Sequence, residues 1–362
     1  MTNPFVSEEQ VHLHRHIFVS LGTFLTGLKY HFIKFPSSDV LLNQKELLSS
    51  AKTVATIPSR MTTCFSYYHT FGMTEKYLIM IEQPWVANSM KLAASKLKGS
   101  TFYECLDWCP QEKNLFHIVS KDTGKPILEG KFKLISQHSF FFLNFINCYE
   151  DGGDGIVIDL IGYDSPEILD QLFLKKLRQG KLEVKDKSKI MRFVIPLKMK
   201  EEGFEGNLVS AQNSATALLD KKNIVLTPHL VTDQQGCEHP SINRLLTGRK
   251  TDFAYVIGWM ESVNRGFFAN ALTKVHLNTG ECVAWRGDEF CHPMEAVFIP
   301  RCEDSSVETG EDDGLVVASV TDVRQDHKDF LVFLDARNMA EVARVSFDEG
   351  LPFGSHGYLG QY

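Results

Sequence analysis

The chain has no Cys-x-x-Cys pair. Its eight cysteines, at positions 64, 105, 109, 148, 237, 282, 291 and 302, are too sparse for the disulfide framework of a small secreted domain. They read as reduced thiols, and a cytoplasmic protein is the expectation. Basic charge is not in excess either: 38 Lys+Arg stand against 45 Asp+Glu, for a formal net charge of -7. With no basic run interleaved with aromatics, a nucleic-acid partner is excluded. The longest apolar run, Ile17 to Leu28, contains Ser, Thr and Gly and is too short to cross a bilayer. The opening MTNPFVSEEQVHLHRH lacks the basic and apolar regions of a signal peptide, so any membrane contact is expected to be peripheral. No Gly-x-Ser-x-Gly elbow, Gly-rich phosphate loop or His-Glu-x-x-His helix is present, which removes serine hydrolase, nucleotide-dependent and zincin chemistry. No Pro/Ser-rich linker divides the 362 residues, 43% of them apolar, and a single domain over 1–362 with a large core is expected.

What the chain does have is alternation. LFHIVSKDTGKPILEGKF (115–132), ALTKVHLNTGECVAW (271–285) and FLVFLDARNMAEVARVSF (330–347) each read as two strands around a turn. The spacing of the first two turns suits about three units of roughly 50 residues, the length of a four-stranded propeller blade, and on that count about seven units would fill the chain. FFFLNFINCYEDGGDGIVIDL (140–160) reads as two strands around an acidic Gly-rich turn. Large apolar residues on both faces of the first strand place it deep in the sheet assembly. Two helices are expected in the loops. One is capped by Asp164-Ser165 before Pro166-Glu167 and runs to Gly180; the other covers 86–97, carries Lys91, Lys96 and Lys98 on a basic side, and ends at Gly99. The basic helix suits a membrane surface as well as an ordinary solvated face.

Thirteen histidines are the chief chemical resource. His69 follows the aromatic strand CFSYY, His12 lies in VHLHRH, and His356 sits in the Pro/Gly-rich LPFGSHGYLG, where glycines let backbone approach a crowded centre. Glu238 in CEHPSIN and Glu295 in HPMEAVFIP are acids within apolar strand sequence. They are expensive to bury unless they accept hydrogen bonds, as a carboxylate does behind a metal-bound imidazole.

The motifs YHTFGMTEKYLIMIEQPW (68–85), WCPQEKNLFHIVSKDTGK (108–125), FINCYEDGGDGIVIDLIGY (145–163), RFVIPL (192–197), HPSIN (239–243), MEAVFIPR (294–301), EDDGLVVASV (311–320), FLVFLDARNMAEVARV (330–345) and LPFGSHG (351–357) occur in that order. In them the chain resembles the carotenoid cleavage oxygenases, the group of the β-carotene dioxygenases and the retinal pigment epithelium isomerohydrolase. The resemblance covers roughly the family's C-terminal two thirds. It implies an all-β fold, a β-propeller that is seven-bladed in the family, and here about five blades or an open ring with short helices in loops. It further implies Fe(II) held by four neutral histidines, O2 as co-substrate and oxidative cleavage of a carotenoid or retinoid double bond.

Carried over by motif, His12, His69 and His356 are metal ligands, with His14 the fallback for His12, and Glu238 and Glu295 are the carboxylates that hold ligand rings. Asn144 stands where the family's fourth histidine is expected. Because an amide oxygen is a weaker donor than imidazole, iron affinity is expected to fall. A metal-free carotenoid or retinoid binder and a retinoid isomerohydrolase are the alternative readings. An insoluble substrate implies an apolar mouth at a membrane, for which Met90, Leu92, Leu97 and Phe102 are the candidates.

Overall fold

The computed structural model describes residues 10–12, 15–24, 27–35, 46, 49–152, 155–179, 186–201, 204–210, 213–258, 270–302, 310–352, 354 and 356–357, with backbone alone for those up to Phe24. Successive four-stranded meanders dominate it. The first sheet pairs Gln10–His12, Arg15–Phe24, Gly27–Phe35 and Lys52–Pro58 in chain order. The second runs through Gly72–Met73, Tyr77–Glu82, Leu115–Ser120 and Lys133–Ser136, then adds the hairpin Asn223–Thr227 and Thr216–Asp220 through a parallel pairing. Phe141–Asp151, Gly155–Tyr163, Lys189–Pro196 and His229–Leu230 form the third sheet. The fourth is built from Cys237–Ser241, Phe253–Gly258, Ala271–His276 and Cys282–Arg286. In the fifth, Cys291–Pro293 and Val297–Pro300 both pair with Gly314–Asp322, followed by Phe330–Asp335 and Glu341–Ser346.

The core lies between consecutive sheets, and this makes the assembly a propeller. Tyr30, Phe32, Ala55 and Ile57 of the first sheet pack on Leu78, Met80 and Val119 of the second. Ile79, Ile81, Phe116 and Ile118, on the opposite face of that second sheet, pack on Phe193, Ile158 and Met191 of the third. Ile161 and Ile190 of the third meet Ala254, Val256 and Val275 of the fourth, whose Tyr255 and Leu272 turn to Val316, Val320 and Val332 of the fifth. Because strand side chains alternate between faces, one strand serves two interfaces. Within Tyr77–Glu82, even-numbered residues face one neighbour and odd-numbered ones the other, so Leu78 to Ile81 are apolar on both faces.

The hairpins at 271–285 and 330–347 form as expected. In 115–132 the return strand starts only at Lys133, because a bridge from Val119 to Pro126 and a 3-10 turn at Ile127–Gly130 intervene. Five meander sheets, not seven units, are seen among the described residues: short strands and long connections make the blades longer than the turn spacing suggests.

The helix expected from Asp164 to Gly180 is instead two short ones, Glu167–Gln171 and Leu174–Leu177. Phe173 is extended between them, its ring edge-on to Tyr103 at 5.1 Å, while the Tyr103 hydroxyl donates to Asp170 at 2.6 Å. That packing overrides the helical periodicity. The basic helix is Ser89–Lys98, starting later than expected because Trp85–Asn88 belongs to a three-stranded ribbon with Cys64–Ser66 and Leu106–Trp108. Asn88 caps it by accepting from the Met90 and Lys91 N–H groups, and Gly99 ends it at φ 65°. Among the described residues no helix is long and apolar enough to cross a membrane.

Candidate metal centre

His69 lies in the segment joining Cys64–Ser66 to Gly72–Met73, and two side-chain clamps fix that segment to the strand carrying Asn144. Gln83, fully buried, donates to the carbonyls of Tyr67 and Phe142, both at 3.1 Å, and accepts from the Phe142 N–H at 3.0 Å. Thr70 donates to the Leu143 carbonyl at 2.7 Å and accepts from the Phe145 N–H at 3.2 Å. Asn144 is thereby held from both sides. Its strand also carries register shifts between Phe142 and Asn147, which turn side chains off the regular alternation. The close approach requires glycine at position 72, where a Cβ would come within 2.6 Å of the Cys148 sulfur.

Glu238 enters from the next sheet. Ser188 holds its strand by donating to the Cys237 carbonyl and accepting from the Cys237 N–H at 2.7 Å. A Cβ at Gly258 would lie 2.7 Å from Cys237 Cα, so glycine is needed on the paired strand too. The Glu238 Oε2 accepts from the Asn144 amide at 2.8 Å and from the His239 N–H at 3.3 Å. Burial pushes the Glu238 carboxyl up; Asn144, Tyr163, the His239 N–H and the nearby His356 pull against that without cancelling it. The Tyr163 phenol is in turn pushed well up by burial and by Glu238, so it stays a neutral donor.

His356 comes from the segment beyond the last strand. Its Nδ1 lies 3.2 Å from Glu295 Oε2, which also accepts from the Gly357 N–H at 3.0 Å. The His69 ring lies 6.3 Å from that of His356 in a stacked arrangement, and the His239 ring lies 5.2 Å from it, nearly edge-on. One ligand atom each from His239, Glu295 and His356 lie within 4.8 Å of one another. Imidazole nitrogens and a carboxylate at this separation are a donor set that suits a divalent first-row transition metal.

Five of the residues expected from the sequence, His69, Asn144, Glu238, Glu295 and His356, therefore converge. His12 ends the strand Gln10–His12, but its side chain is outside the described part of the structure, and His14 is outside the described residues altogether. His239 belongs to the cluster and was missed. Its one sequence signal is its place between Glu238 and Pro240, within what reads as plain strand. The membrane candidates divide. Met90 and Leu97 are 75% and 93% exposed, whereas Leu92 and Phe102 are partly buried against the core between the first two sheets and cannot form an outward apolar face.

A blade assembly that brings histidines and acids from separate sheets, their connections and the segment after the last strand to one place defines a propeller with a candidate metal site. The chain belongs to the carotenoid oxygenase family: the model described as retinal pigment epithelial membrane protein matches residues 14–359. It is 33% identical over 353 residues to the mitochondrial carotenoid-cleaving dioxygenase of Macaca fascicularis, covering 93% of this chain and 60% of that protein. It is 31% identical over 338 residues to the β,β-carotene 15,15'-dioxygenase of Gallus gallus, covering 91% of this chain and 61% of the relative. The chain thus spans about 60% of the length of these curated relatives. Among solved structures, the apocarotenoid oxygenase of Synechocystis in its cobalt-substituted form superposes with TM-score 0.71 at 19% identity, over 96% of this chain and 61% of that one. The lignostilbene dioxygenase of Pseudomonas brassicacearum superposes with TM-score 0.65 at 18% identity, over 93% and 61%.

Proposed function

We propose that this chain carries the Fe(II) centre of a dioxygenase that cleaves a conjugated double bond of a carotenoid or apocarotenoid with O2. The convergence of His69 and His356 with Glu238 and Glu295, in a member of this family, carries the reading. In the reaction the C=C bond breaks and each of its carbons takes one oxygen atom of O2, leaving two carbonyl products. Iron(II), when bound, supplies the redox chemistry that directs O2 at an electron-rich alkene.

The protein's part is positioning. His69, His356 and, by resemblance, His12 are the imidazoles that would hold the ion. Glu295 fixes the His356 ring by accepting a hydrogen bond from its Nδ1–H, which leaves the other ring nitrogen for metal. Neutral imidazoles leave the site with the charge of the ion, and a carboxylate such as Glu295 beside the His356 ring would offset part of it. The exposed Met90 and Leu97, beside Lys91, Lys96 and Lys98, support peripheral contact with the membrane that would deliver an insoluble polyene.

The test is to load the purified chain anaerobically with Fe(II), add a carotenoid in detergent, and admit O2. Loss of the polyene absorption band with formation of aldehyde products is expected from the wild type and not from His356→Ala. A polyene left intact by iron-loaded wild type would overturn the reading.

A further inference from the structure

We infer that His239 supplies the imidazole that position 144 lacks, so that it joins His69, His356 and, by resemblance, His12 in holding the metal, and Asn144 serves only to orient Glu238. The inference rests on the metal-centre reading above and adds a ligand to it. Three observations carry it.

The first is proximity. The His239 ring is nearer to His356 than the His69 ring is, at 5.2 Å against 6.3 Å, and His239 shares with His356 and Glu295 a group of ligand atoms within 4.8 Å of one another. The second is backbone geometry. The strand Cys237–Ser241 pairs Glu238 with Ile257 and Ser241 with Tyr255, so one extra residue is accommodated in a bulge. His239 occupies that bulge at φ 49°, immediately before Pro240. A side-chain-bearing residue in the left-handed region is strained, and such strain gathers at sites where the side chain is needed. Bulges re-aim a side chain that the regular pleat would send elsewhere.

The third observation concerns Asn144. Its amide nitrogen is committed to Glu238 at 2.8 Å, the role that the N–H of a ligand imidazole would play there. The amide can replace that donor but not the nitrogen lone pair, since its remaining oxygen binds a divalent transition metal less well than imidazole does. The Asn144 amide and the backbone N–H of His239 meet on the same Glu238 oxygen. The strand that lacks the donor and the strand that offers one are therefore joined at that carboxylate.

The experiment is anaerobic Co(II) titration of the purified full chain, followed by the visible d–d absorption, with thermal unfolding of each apo-protein in parallel. Asparagine and glycine both tolerate the left-handed backbone, so His239→Asn and His239→Gly should keep or raise the apo midpoint. Their Co(II) affinity should fall by about tenfold or more, with a changed spectrum, whereas Asn144→Ala should lose less than about threefold. Asn144→His added to His239→Asn should restore most of the affinity. Unchanged Co(II) binding in both His239 variants overturns the inference and leaves the metal centre standing. A lower apo midpoint together with lost metal that Asn144→His does not restore makes His239 structural, and likewise overturns it. Wild type that takes up no Co(II) overturns the metal-centre reading itself, and the ligand assignment with it.

Discussion

Glu82 and Asp159 show how single buried acids hold this fold. The Glu82 side chain is 1% exposed; it accepts from the Tyr30 hydroxyl at 2.9 Å and from Ser59 at 3.1 Å, and it lies 3.0 Å from His117 Nε2. Burial pushes its carboxyl up, but His117, Tyr30 and Arg60 outweigh burial and hold it below the ordinary carboxylate range. A depressed folded pKa means stability that is complete above the unfolded value, about 4.3, and is lost as pH falls through the folded one. Urea denaturation in steps from about pH 6 to about pH 3 should therefore show a shallower acid loss in Glu82→Gln than in wild type. Asp159 is fully buried and paired with Arg192 through two bonds of 2.7 and 2.8 Å. Arg192→Met should cost about 3–5 kcal/mol by leaving a buried acid unpaired, and adding Asp159→Leu should recover part of that loss in the same denaturation assay.

At the scale of elements, the segment carrying His69 is positioned by its neighbours, since Gly72 and the Gln83 and Thr70 clamps press it against the strand of Asn144. Gly72→Ala should destabilise the protein by about 1–3 kcal/mol and weaken Co(II) binding, because the new methyl must displace the Cys148 sulfur. The helix Ser89–Lys98 calls for a different experiment. Its exposed apolar residues are Met90 and Leu97, whereas Leu92 and Phe102 belong to the packed side. Met90→Glu with Leu97→Glu should abolish flotation with anionic liposomes while leaving the thermal midpoint within about 2 °C; undiminished flotation would remove the membrane reading.

For the whole molecule, the consequence lies in the sequence distance between the gathered residues. His69, Glu238 and His356 come from segments more than 100 residues apart, joined through a row of sheets each packed on the next. An ion bound among them ties the ends of that row together and stabilises only the folded form. At a free metal concentration 100 times its Kd, unfolding should require about 2.7 kcal/mol more than in chelator, read as a raised and concentration-dependent thermal midpoint.

By itself the sequence determined the class of fold, the two-faced burial of its middle strands and most of the site, because period-2 alternation, turn chemistry and motif order are local. His69, Glu238, Glu295 and His356 could be picked out from the residues around them, and Asn144 from the resemblance to the family. Only the tertiary structure decided where helical periodicity gave way to Tyr103 and Phe173, which side of the basic helix is packed, and that His239 enters the cluster. A bulge exists only once its partner strand is paired, so nothing in Cys-Glu-His-Pro-Ser alone says that the histidine turns to meet His356.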